Sequence, residues 1–516
     1  MYLVTAQQMR EIDEKAINEY NFLEGVLMEN AGKAAVDVLL TKFSNLADLH
    51  ITIAVGAGNN GGDGLVMARY LHKLGAKVKV FLVKEKELTP TTQLNLNILE
   101  KLPVKIYPLD TENSIHLFKV TINTTDIFID ALLGTGVNRP LSPLLAEIID
   151  IVNKRSCLTV AVDVPTGLNC DTGEIYGSCL AADYTIGIAL PKQGYYLNKG
   201  LKYCGEITIV DIGFPEELLA ECGLQTYLLD KDYLSAHIRQ RQRNSHKGTY
   251  GHLLLVGGSM GMSGAVTLAA RSSLRAGVGV VSCAVPKDVQ LQVAVNIPEA
   301  MVYPVNEGQF FTEESLEGIS NLLKGKKAVI LGPGMGKNEH IVQVVKQILQ
   351  ESTCPIVLDA DGLNALEGNL HLLSMAKAPV ILTPHPGEMA RLANQDKKLI
   401  QNARIDTARD FAVEHQVWVI LKGANTVIAA PNGEIYLNTI DSPALATAGS
   451  GDVLSGILGA FVAQGMAVSE ACCLAVRLHG EAGVCLAEQM GAISTQAGDI
   501  IEVLPQLLRG GKNENI

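Results

Sequence analysis

The sequence has few aromatic residues, no C-x-x-C cysteine pair and no long apolar run. Aromatic side chains make up 5% of its 516 residues, so with 47% hydrophobic residues we expect mainly aliphatic cores. The ten cysteines include no C-x-x-C pair, which argues against a zinc site or a disulfide framework and fits a reducing cytosol. No uninterrupted apolar run approaches the roughly 18 residues of a membrane span. The first residues lead into a charged helix and not into a signal peptide, so we expect a cytoplasmic protein without membrane attachment.

The sequence also lacks basic charge and an ordinary phosphate-binding loop. Its net charge is −12, which argues against nucleic acid as a partner. There is no G-x-x-x-x-G-K-[ST] motif, so an ordinary P-loop is excluded. An acidic protein that handles phosphates must therefore supply local backbone N–H groups, lysine, arginine or cations. A chain of this length is expected to form two or three domains.

Short apolar segments alternate with helical segments in both halves of the chain. This alternation predicts α/β domains with parallel, doubly wound sheets. Residues 5–20 should form an amphipathic helix, because Thr5 and Gln8 resemble a capping box. A polar segment at 214–244 indicates a domain boundary. The predicted strands are 51–55, 78–83, 127–130, 158–163 and 207–213, then 252–256, 278–281, 328–331, 355–359, 380–382, 417–421, 426–429 and 434–437.

The first half contains a glycine-rich loop between a predicted strand and a helix. Residues 56–61 match G-x-G-x-x-G, the pattern of dinucleotide-binding turns. The acidic residue expected after the next strand is missing, since Lys84 stands there. The two asparagines, Asn59 and Asn60, add amide oxygens that could ligate a cation. A non-enzymatic protein that senses NAD is one alternative that this motif leaves open.

Two further strands of this half end in aspartate. Asp130 and Asp163 each precede a Gly-bearing loop, and carboxyl ends of parallel strands share the edge where ligands bind. Asn60, Asp130 and Asp163 are therefore expected to converge. The alternative is that each aspartate only caps the turn after it, with Asn60 and Asp130 tying the loop together by hydrogen bonds.

These loops resemble the NAD(P)H-hydrate epimerase domain, over residues 1–217. The similarity is carried by Asn59-Asn60-Gly61-Gly62-Asp63-Gly64, Asp130-Ala131-Leu132-Leu133-Gly134-Thr135-Gly136 and Asp163-Val164-Pro165-Thr166-Gly167. It implies a Rossmann-like α/β/α sandwich, with Asp163 touching the substrate as candidate acid/base and Asn60, Asp130 and Thr166 as ligands of a potassium ion. The implied nucleotide-binding residues are Asn59, Asn60, Gly61, Gly62, Asp63, Gly134, Thr135, Gly136, Val137, Asn138, Arg139 and Pro140.

The second half contains a glycine-rich turn that opens a helix, Thr447-Ala448-Gly449-Ser450-Gly451-Asp452. Free N–H groups and the helix dipole make such a turn an anion site. A carboxylate there is repelled by phosphate, so Asp452 indicates proton chemistry beside a transferring phosphoryl group. The alternative is an ordinary N-cap aspartate. Upstream, Lys422-Gly423-Ala424-Asn425-Thr426 follows an apolar strand and is typical of a phosphate-facing turn.

Another loop of this half places His385 between two prolines, in Thr383-Pro384-His385-Pro386-Gly387-Glu388. The prolines rigidify the loop, which favours a ligand contact of His385 over a merely satisfied polar residue.

Residues 227–511 resemble the ADP- or ATP-dependent NAD(P)H-hydrate dehydratase, which has a ribokinase-like α/β fold. The resemblance rests on 383–388, 422–426 and 448–452. It implies that Asp452 is the catalytic base. It also implies that Lys422, Gly423, Ala424, Asn425, Thr426 and Gly451 bind the adenine nucleotide, and that Ala265, Gly334, His385 and Asp452 contact the hydrated dinucleotide.

Together the two resemblances imply repair of damaged NADH and NADPH. Water adds at C6 of the nicotinamide ring and gives R and S hydrates. The first domain would interconvert the epimers, and the second would dehydrate the S form at the expense of ADP or ATP with Mg²⁺. The fused arrangement favours ADP, and we expect a homo-oligomer. The alternative enzyme is a ribokinase-like small-molecule kinase with an accessory nucleotide-binding domain, which would leave a stable phosphorylated product.

Overall fold

The chain forms two compact units, Met1–Leu224 and Gln225–Ile516. The structure is a computed structural model that describes residues 1–229, 233–440 and 442–509. The division at 224/225 lies between the predicted domain bounds of 217 and 227. The predicted end of the second domain, residue 511, lies outside the described residues. Among the helices of the described ranges, none combines the length and the apolar character of a membrane span.

The first unit is built on a seven-stranded parallel sheet of order β3-β2-β1-β4-β5-β6-β7. The order reverses between β1 and β4, and ligands of open α/β sheets bind at such a point. The strands are β1 (His50–Val55), β2 (Lys77–Leu82), β3 (Lys105–Pro108), β4 (Ile127–Ala131), β5 (Leu158–Val162), β6 (Tyr184–Ile188) and β7 (Glu206–Val210).

Helices pack around this sheet as the alternation predicts. The first helix begins after Thr5, whose hydroxyl accepts from the Gln8 backbone in a capping box, so that prediction is confirmed. Met9, Ile12 and Ala16 of this helix are buried. The helices are α1 (Ala6–Asn18), α2 (Glu24–Lys42), α3 (Asn59–Lys73), α4 (Pro90–Leu99), α5 (Glu112–Ile122), α6 (Pro143–Asn153), α7 (Gly200–Tyr203) and α8 (Glu216–Glu221).

Gly56 is the residue that lets the ends of β1 and β4 approach each other. Its N–H donates to the Ala131 carbonyl at 2.9 Å, and a Cβ on Gly56 would lie 1.9 Å from the Leu132 carbonyl oxygen. Any side chain would therefore push the two loops apart. The glycine-rich loop predicted to bind a ligand thus lies at the point where the strand order reverses.

The second unit contains a ten-stranded sheet of order β11-β10-β9-β12-β13-β14-β15-β16-β17-β8. Its pairs are parallel except β15–β16 and β16–β17, and β16 and β17 form a hairpin around Asn432-Gly433. The strands are β8 (Thr226–Leu229), β9 (His252–Val256), β10 (Val280–Val285), β11 (Met301–Pro304), β12 (Ala328–Leu331), β13 (Ile356–Leu358), β14 (Val380–Leu382), β15 (Trp418–Leu421), β16 (Val427–Ala429) and β17 (Ile435–Asn438).

The helices of the second unit cover this sheet. They are α9 (Tyr233–His237), α10 (Ser263–Arg275), α11 (Lys287–Asn296), α12 (Ser315–Leu323), α13 (His340–Glu351), α14 (Asp361–Asn364), α15 (Pro386–Leu392), α16 (Lys397–Asn402), α17 (Arg404–His415), α18 (Ser450–Ala463), α19 (Val468–Met490) and α20 (Ala497–Leu508). The predicted helix after the glycine-rich turn is α18, and its N-cap Gly449 adopts φ 86°, a left-handed conformation that suits glycine.

Four strands are absent from the sequence-based prediction. β3 and β11 are edge strands, and much of their surface is exposed, so they lack an apolar run. The third, β6, carries polar Tyr184 and Thr185. The fourth, β8, lies inside the segment taken as a polar boundary and pairs with β17. The strand predicted at 278–281 instead spans Val280–Val285.

The cores are aliphatic in most of both units, as the composition predicts. One cluster of the first unit differs, because Phe81, Phe118 and Phe128 pack edge-to-face with ring centroids 5.1 and 6.2 Å apart. Three of the ten phenylalanines are thus gathered in one cluster.

Candidate active sites

A cavity of about 780 Å³ opens where the strand order of the first unit reverses. The loops after β1 and β4 and the start of α3 line it, together with α1. Most residues predicted to hold the nucleotide line this cavity: Asn59, Asn60, Asp63, Gly134, Thr135, Gly136, Val137, Asn138, Arg139, Pro140 and Asp163. The structure therefore gathers two separate sequence motifs around one space.

Gly61 and Gly62 do not line the cavity. A Cβ on Gly61 would lie 1.9 Å from the Gly56 carbonyl oxygen, and one on Gly62 would lie 2.4 Å from the Met28 sulfur. These two glycines therefore allow α3 to pack closely against its neighbours.

Asp130 and Thr166 do not line the cavity and are hydrogen-bonded to each other. Both are fully buried, and Thr166 donates its hydroxyl and its backbone N–H to the two Asp130 carboxylate oxygens, each at 2.8 Å. Burial raises the pKa of Asp130 to about 6, although the hydrogen bonds from Thr166 and Leu132 oppose the shift. The carboxylate is thus held by neutral donors, with its negative charge available to a cation.

Asn60 presents a buried amide without a hydrogen bond. Within residues 1–229, 233–440 and 442–509, neither its Oδ1 nor its Nδ2 has a partner, which is costly unless a ligand satisfies them. A Cβ on Gly134 would lie 3.5 Å from Cγ of Asn60 and 3.1 Å from Oδ2 of Asp163. Asn60 and Asp163 therefore both lie next to Gly134.

Asp163 is paired with a lysine that the sequence analysis did not single out. The ammonium group of Lys192, whose side chain is 1% exposed, lies 2.5 Å from Asp163 Oδ1 and also donates to the Ile188 carbonyl at 2.7 Å. Asp163 has φ 61°, and its carbonyl accepts from the Tyr195 hydroxyl at 2.6 Å. The acid/base candidate thus faces the cavity as one half of a nearly buried ion pair.

Asp13 of α1 is a second acid in the same cavity that the sequence analysis missed. Burial raises its pKa to about 7, against the opposing charge of Lys192, and the nearby charges of Asp163 and Glu24 raise it further. Asp63 is also buried, and its pKa is raised well above the usual value for the same main reason. Since α1 shows only an amphipathic pattern in the sequence, nothing there indicated that Asp13 lines a site.

A second cavity, of about 500 Å³, lies in the second unit at the carboxyl ends of β13, β14 and β15 and the start of α18. It is lined by seven predicted site residues: His385, Lys422, Gly423, Ala424, Thr426, Gly451 and Asp452. Asn425 is 1% exposed and does not line it; its left-handed φ of 53° shapes the turn.

Ala265 and Gly334 do not line this cavity either. They pack against each other beside Met262, where a Cβ on Gly334 would lie 3.0 Å from the Ala265 Cβ. This place is next to the reversal of strand order between β9 and β12, since the Gly258 N–H donates to the Pro333 carbonyl at 2.8 Å. The structure thus puts these two predicted contacts outside the lining of the cavity that holds Asp452.

Lys422 directly follows β15, and its ammonium group lies beside the start of α18 in an ion pair with an acid that follows another strand. Its ammonium nitrogen is 3.0 Å from Oδ1 of Asp359 and 3.2 Å from where a Cβ on Gly451 would stand. Burial disfavours both charges, yet the ion pair prevails: the pKa of Lys422 is raised and that of Asp359 is lowered. A cation therefore stands at a helix N-terminus, which is an anion-binding arrangement.

Asp452 lies in the first turn of α18 and lines the same cavity. Burial and the charge of Asp359 raise its pKa to about 7, although Lys422 opposes the shift. A carboxylate with this pKa is suited to accept a proton near neutral pH.

His385 caps α15 as well as lining the cavity. Its Nδ1 accepts from the backbone N–H groups of Gly387 and Glu388, at 2.9 and 3.1 Å, and the Glu388 carboxylate accepts from the His385 N–H at 2.8 Å. Since Nδ1 is an acceptor, the neutral ring carries its proton on Nε2. Burial lowers the pKa of His385, so a neutral ring with a donor at Nε2 is favoured.

The structure thus defines an α/β protein with two separate cavities, one at the reversal of strand order in the first unit and one at the N-terminus of α18 in the second. Comparison with known proteins gives the same division. Residues 24–194 match the family model described as YjeF-related protein N-terminus, and residues 253–506 match the model described as NAD(P)H-hydrate dehydratase.

The chain belongs to the family of bifunctional NAD(P)H-hydrate repair enzymes. It is 40% identical to the bifunctional NAD(P)H-hydrate repair enzyme Nnr of Moorella thermoacetica, over 100% of this chain and 98% of the relative. It is 35% identical to the enzyme of the same name from Thermofilum pendens, over 99% and 96%. The family predicted from the sequence is confirmed.

A solved structure confirms the predicted fold of the second unit. The ADP/ATP-dependent NAD(P)H-hydrate dehydratase from Bacillus subtilis, co-crystallised with ATP and Mg²⁺, superposes with a TM-score of 0.50 at 30% identity, covering 55% of this chain and 98% of that one.

Proposed function

We propose that this protein repairs hydrated NADH and NADPH with two active sites in one chain. The epimerase is assigned to residues 1–217 and the ADP- or ATP-dependent dehydratase to residues 227–511. The observation that carries the proposal is the second cavity, where a carboxylate of pKa about 7, Asp452, stands beside the Lys422 ammonium at the start of α18. A cation and a general base next to an anion site suit phosphoryl transfer to a hydroxyl group.

In the dehydratase site, Asp452 accepts the proton of the C6 hydroxyl as that oxygen attacks the terminal phosphoryl group of the nucleotide. Lys422 and the N–H groups at the start of α18 stabilise the transferring phosphoryl group. Phosphate then leaves with the C6–O electrons, and loss of a proton restores the ring double bond. The Lys422 to Thr426 turn and Gly451 bind the nucleotide, and His385 Nε2 contacts the hydrate. Ala265 and Gly334 are proposed to contact a more distant part of the hydrate.

Mg²⁺ is proposed to enter this site with the nucleotide. In the described residues no group of three or more His, Cys, Asp or Glu side chains is placed to hold a metal. Mg²⁺ usually binds through phosphates and one or two carboxylates, and such an ion would neutralise phosphate charge. ADP is the proposed co-substrate, with ATP as the alternative.

In the epimerase site, the reaction needs removal and return of the C6 hydroxyl on opposite faces of the ring. Asp163 is the proposed acid/base, and Lys192 holds its carboxylate at the cavity wall. The residues 59–63 and 134–140 are proposed to bind the dinucleotide, with Gly61 and Gly62 acting through the position of α3 rather than by contact.

A potassium ion is proposed to bind between Asn60, Asp130 and Thr166. The donor set fits such an ion: it is all oxygen, holds one carboxylate and includes an amide oxygen that has no partner in the described ranges. The ion would offset the phosphate charge of the bound dinucleotide in an acidic protein. A homo-oligomeric state and a cytoplasmic location remain predictions.

The test is to incubate the pure protein with mixed R and S hydrates of NADH and ADP or ATP, and to follow each epimer by chromatography. Both epimers should disappear, with phosphate release and recovery of NADH absorbance. With no nucleotide, only interconversion of the epimers should occur. A stable phosphorylated product without recovery of NADH would instead favour the small-molecule kinase.

A further inference from the structure

Asp359 has no role in the reaction proposed above, although it is a buried acid that forms an ion pair with Lys422 of the second cavity. It follows β13 and is 2% exposed. Its Oδ1 accepts from Lys422 at 3.0 Å and its Oδ2 accepts from the Ser455 hydroxyl at 2.6 Å. Both carboxylate oxygens are therefore occupied, and the group cannot rotate without losing a bond.

These bonds join three elements at the point where phosphate is proposed to bind. Lys422 follows β15, and Ser455 lies one turn along α18 from Gly451. A Cβ on Gly451 would stand 3.2 Å from the Lys422 ammonium and 3.9 Å from Oδ2 of Asp359. The ammonium of a lysine is a point charge on a flexible stem, and here Asp359 fixes it against the first turn of the helix.

Binding of an anion alone does not explain this carboxylate. A negative charge beside Lys422 weakens the attraction of the site for phosphate, and a buried ion pair by itself is weak evidence for stability. Placement of the cation does explain it, because a shift of about 1 Å in a catalytic group costs on the order of 10²-fold in rate.

We propose that Asp359 is a positioning residue of phosphoryl transfer, which holds the Lys422 ammonium at the start of α18 where the transferring group passes. This inference rests on the proposed dehydratase function. It predicts that Asp359 raises the rate of phosphoryl transfer and lowers the affinity of the site for the bound nucleotide.

The test compares Asp359→Asn with the wild type in the full-length protein. Asparagine has the shape of aspartate but no charge, so the Lys422 ammonium is no longer fixed or neutralised. We expect kcat of dehydration to fall by on the order of 10-fold or more, while the Kd of ADP in calorimetry stays the same or decreases. A merely structural defect would weaken ADP binding as well.

A double variant tests whether Asp359 acts through Lys422. If it does, Asp359→Asn/Lys422→Gln should have the kcat of Lys422→Gln alone, whereas independent roles would give multiplied losses. The double variant also removes both buried charges, so it provides a foldable reference if Asp359→Asn is unstable. The milder variant Ser455→Ala keeps the charge of Asp359 but frees one oxygen, and should lower kcat less than Asp359→Asn with Kd unchanged.

An unchanged kcat in both Asp359→Asn and Ser455→Ala would overturn the inference. So would a loss of ADP affinity in Asp359→Asn that matches its loss of kcat. Multiplied losses of kcat in the double variant would overturn it as well. Failure of the proposed function would give a different result, because the wild type itself would neither bind ADP nor release phosphate from it in the presence of the hydrate.

Discussion

Asp452 is the residue whose ionisation should govern dehydration. It must be ionised to accept a proton, and its pKa is raised to about 7 by burial and by Asp359. The protonated, inactive form therefore dominates below that pH, so kcat should rise as the pH increases through about 7 and then level off. A rate that is flat between pH 5.5 and 8.5, measured with saturating S hydrate and ADP, would contradict this role.

Asp452→Asn should abolish this pH-dependent rise along with the activity. Removal of a general base costs on the order of 10²-fold or more in rate, and the amide is close to isosteric with the acid, so ADP should still bind. Calorimetry with ADP supplies the control for an intact site. Near-normal dehydration by the purified variant would exclude Asp452 as the base.

Asp130 is the residue on which potassium binding should depend. It supplies the one carboxylate of the proposed ligand set and is buried against Thr166. Crystals grown with potassium should show an anomalous peak of potassium strength beside Asn60 and Asp130. Asp130→Ala should lose this peak and most epimerase activity, since the dinucleotide phosphates would lack a counter-charge.

Asp130→Asn is the matched control for packing, because it keeps the volume and part of the hydrogen bonding. A high-resolution map from potassium buffer with only water at this place, together with a normal epimerisation rate in Asp130→Ala, would refute the site.

At the scale of elements, His385 links the start of α15 to the second cavity. Its Nδ1 caps the helix and its Nε2 is the proposed contact of the hydrate. His385→Ala removes both functions and should lower the stability of the second unit by about 1 kcal/mol, as for loss of a helix cap. His385→Asn restores a capping side chain but not the Nε2 donor.

The two variants therefore separate the roles of His385. The single tryptophan, Trp418, lies on β15, so its fluorescence during denaturant unfolding reports on the second unit. We expect His385→Asn to unfold close to the wild type with a higher KM for the hydrate. A wild-type KM for the hydrate in both variants would show that His385 acts only as a helix cap.

The elements that carry chemistry were the more predictable ones. Strands buried in the sheet are apolar runs followed by loops that carry Gly, Asp, His or Lys, and the loops after β1, β4, β5, β14 and β15 were recognised in this way. β3 and β11 were missed because edge strands lack that pattern, and β8 was missed because its partner, β17, is about 200 residues away in sequence.

At the scale of the whole molecule, the two activities should be separable. The proposed sites belong to different compact units. A substitution that inactivates one site should therefore leave the activity of the other site unchanged. Asp163→Asn should lose epimerisation and keep dehydration of the S hydrate, and Asp452→Asn should do the reverse.

An equimolar mixture of these two variants should then repair the R hydrate, because the S epimer made by one can diffuse to the other. The measurement is NADH recovery from pure R hydrate with ADP, relative to the wild type at equal concentration of each active site. Recovery far below the wild type, with both single activities intact, would mean that substrate must pass between sites of one chain.

The family, the two α/β units and most of the loops that line both cavities can be predicted from the sequence, because these depend on local patterns of apolar residues, glycine and acids. It did not reveal Asp13 or Lys192 as parts of the sites, or the pairing of Asp359 with Lys422. Each contributes through neighbours that are distant in sequence; Asp359 and Lys422, for example, are 63 residues apart. The acids that are buried beside charged groups, and hence the raised pKa of Asp452, are known only from the three-dimensional structure, since desolvation and ion pairing arise only when the strands are assembled.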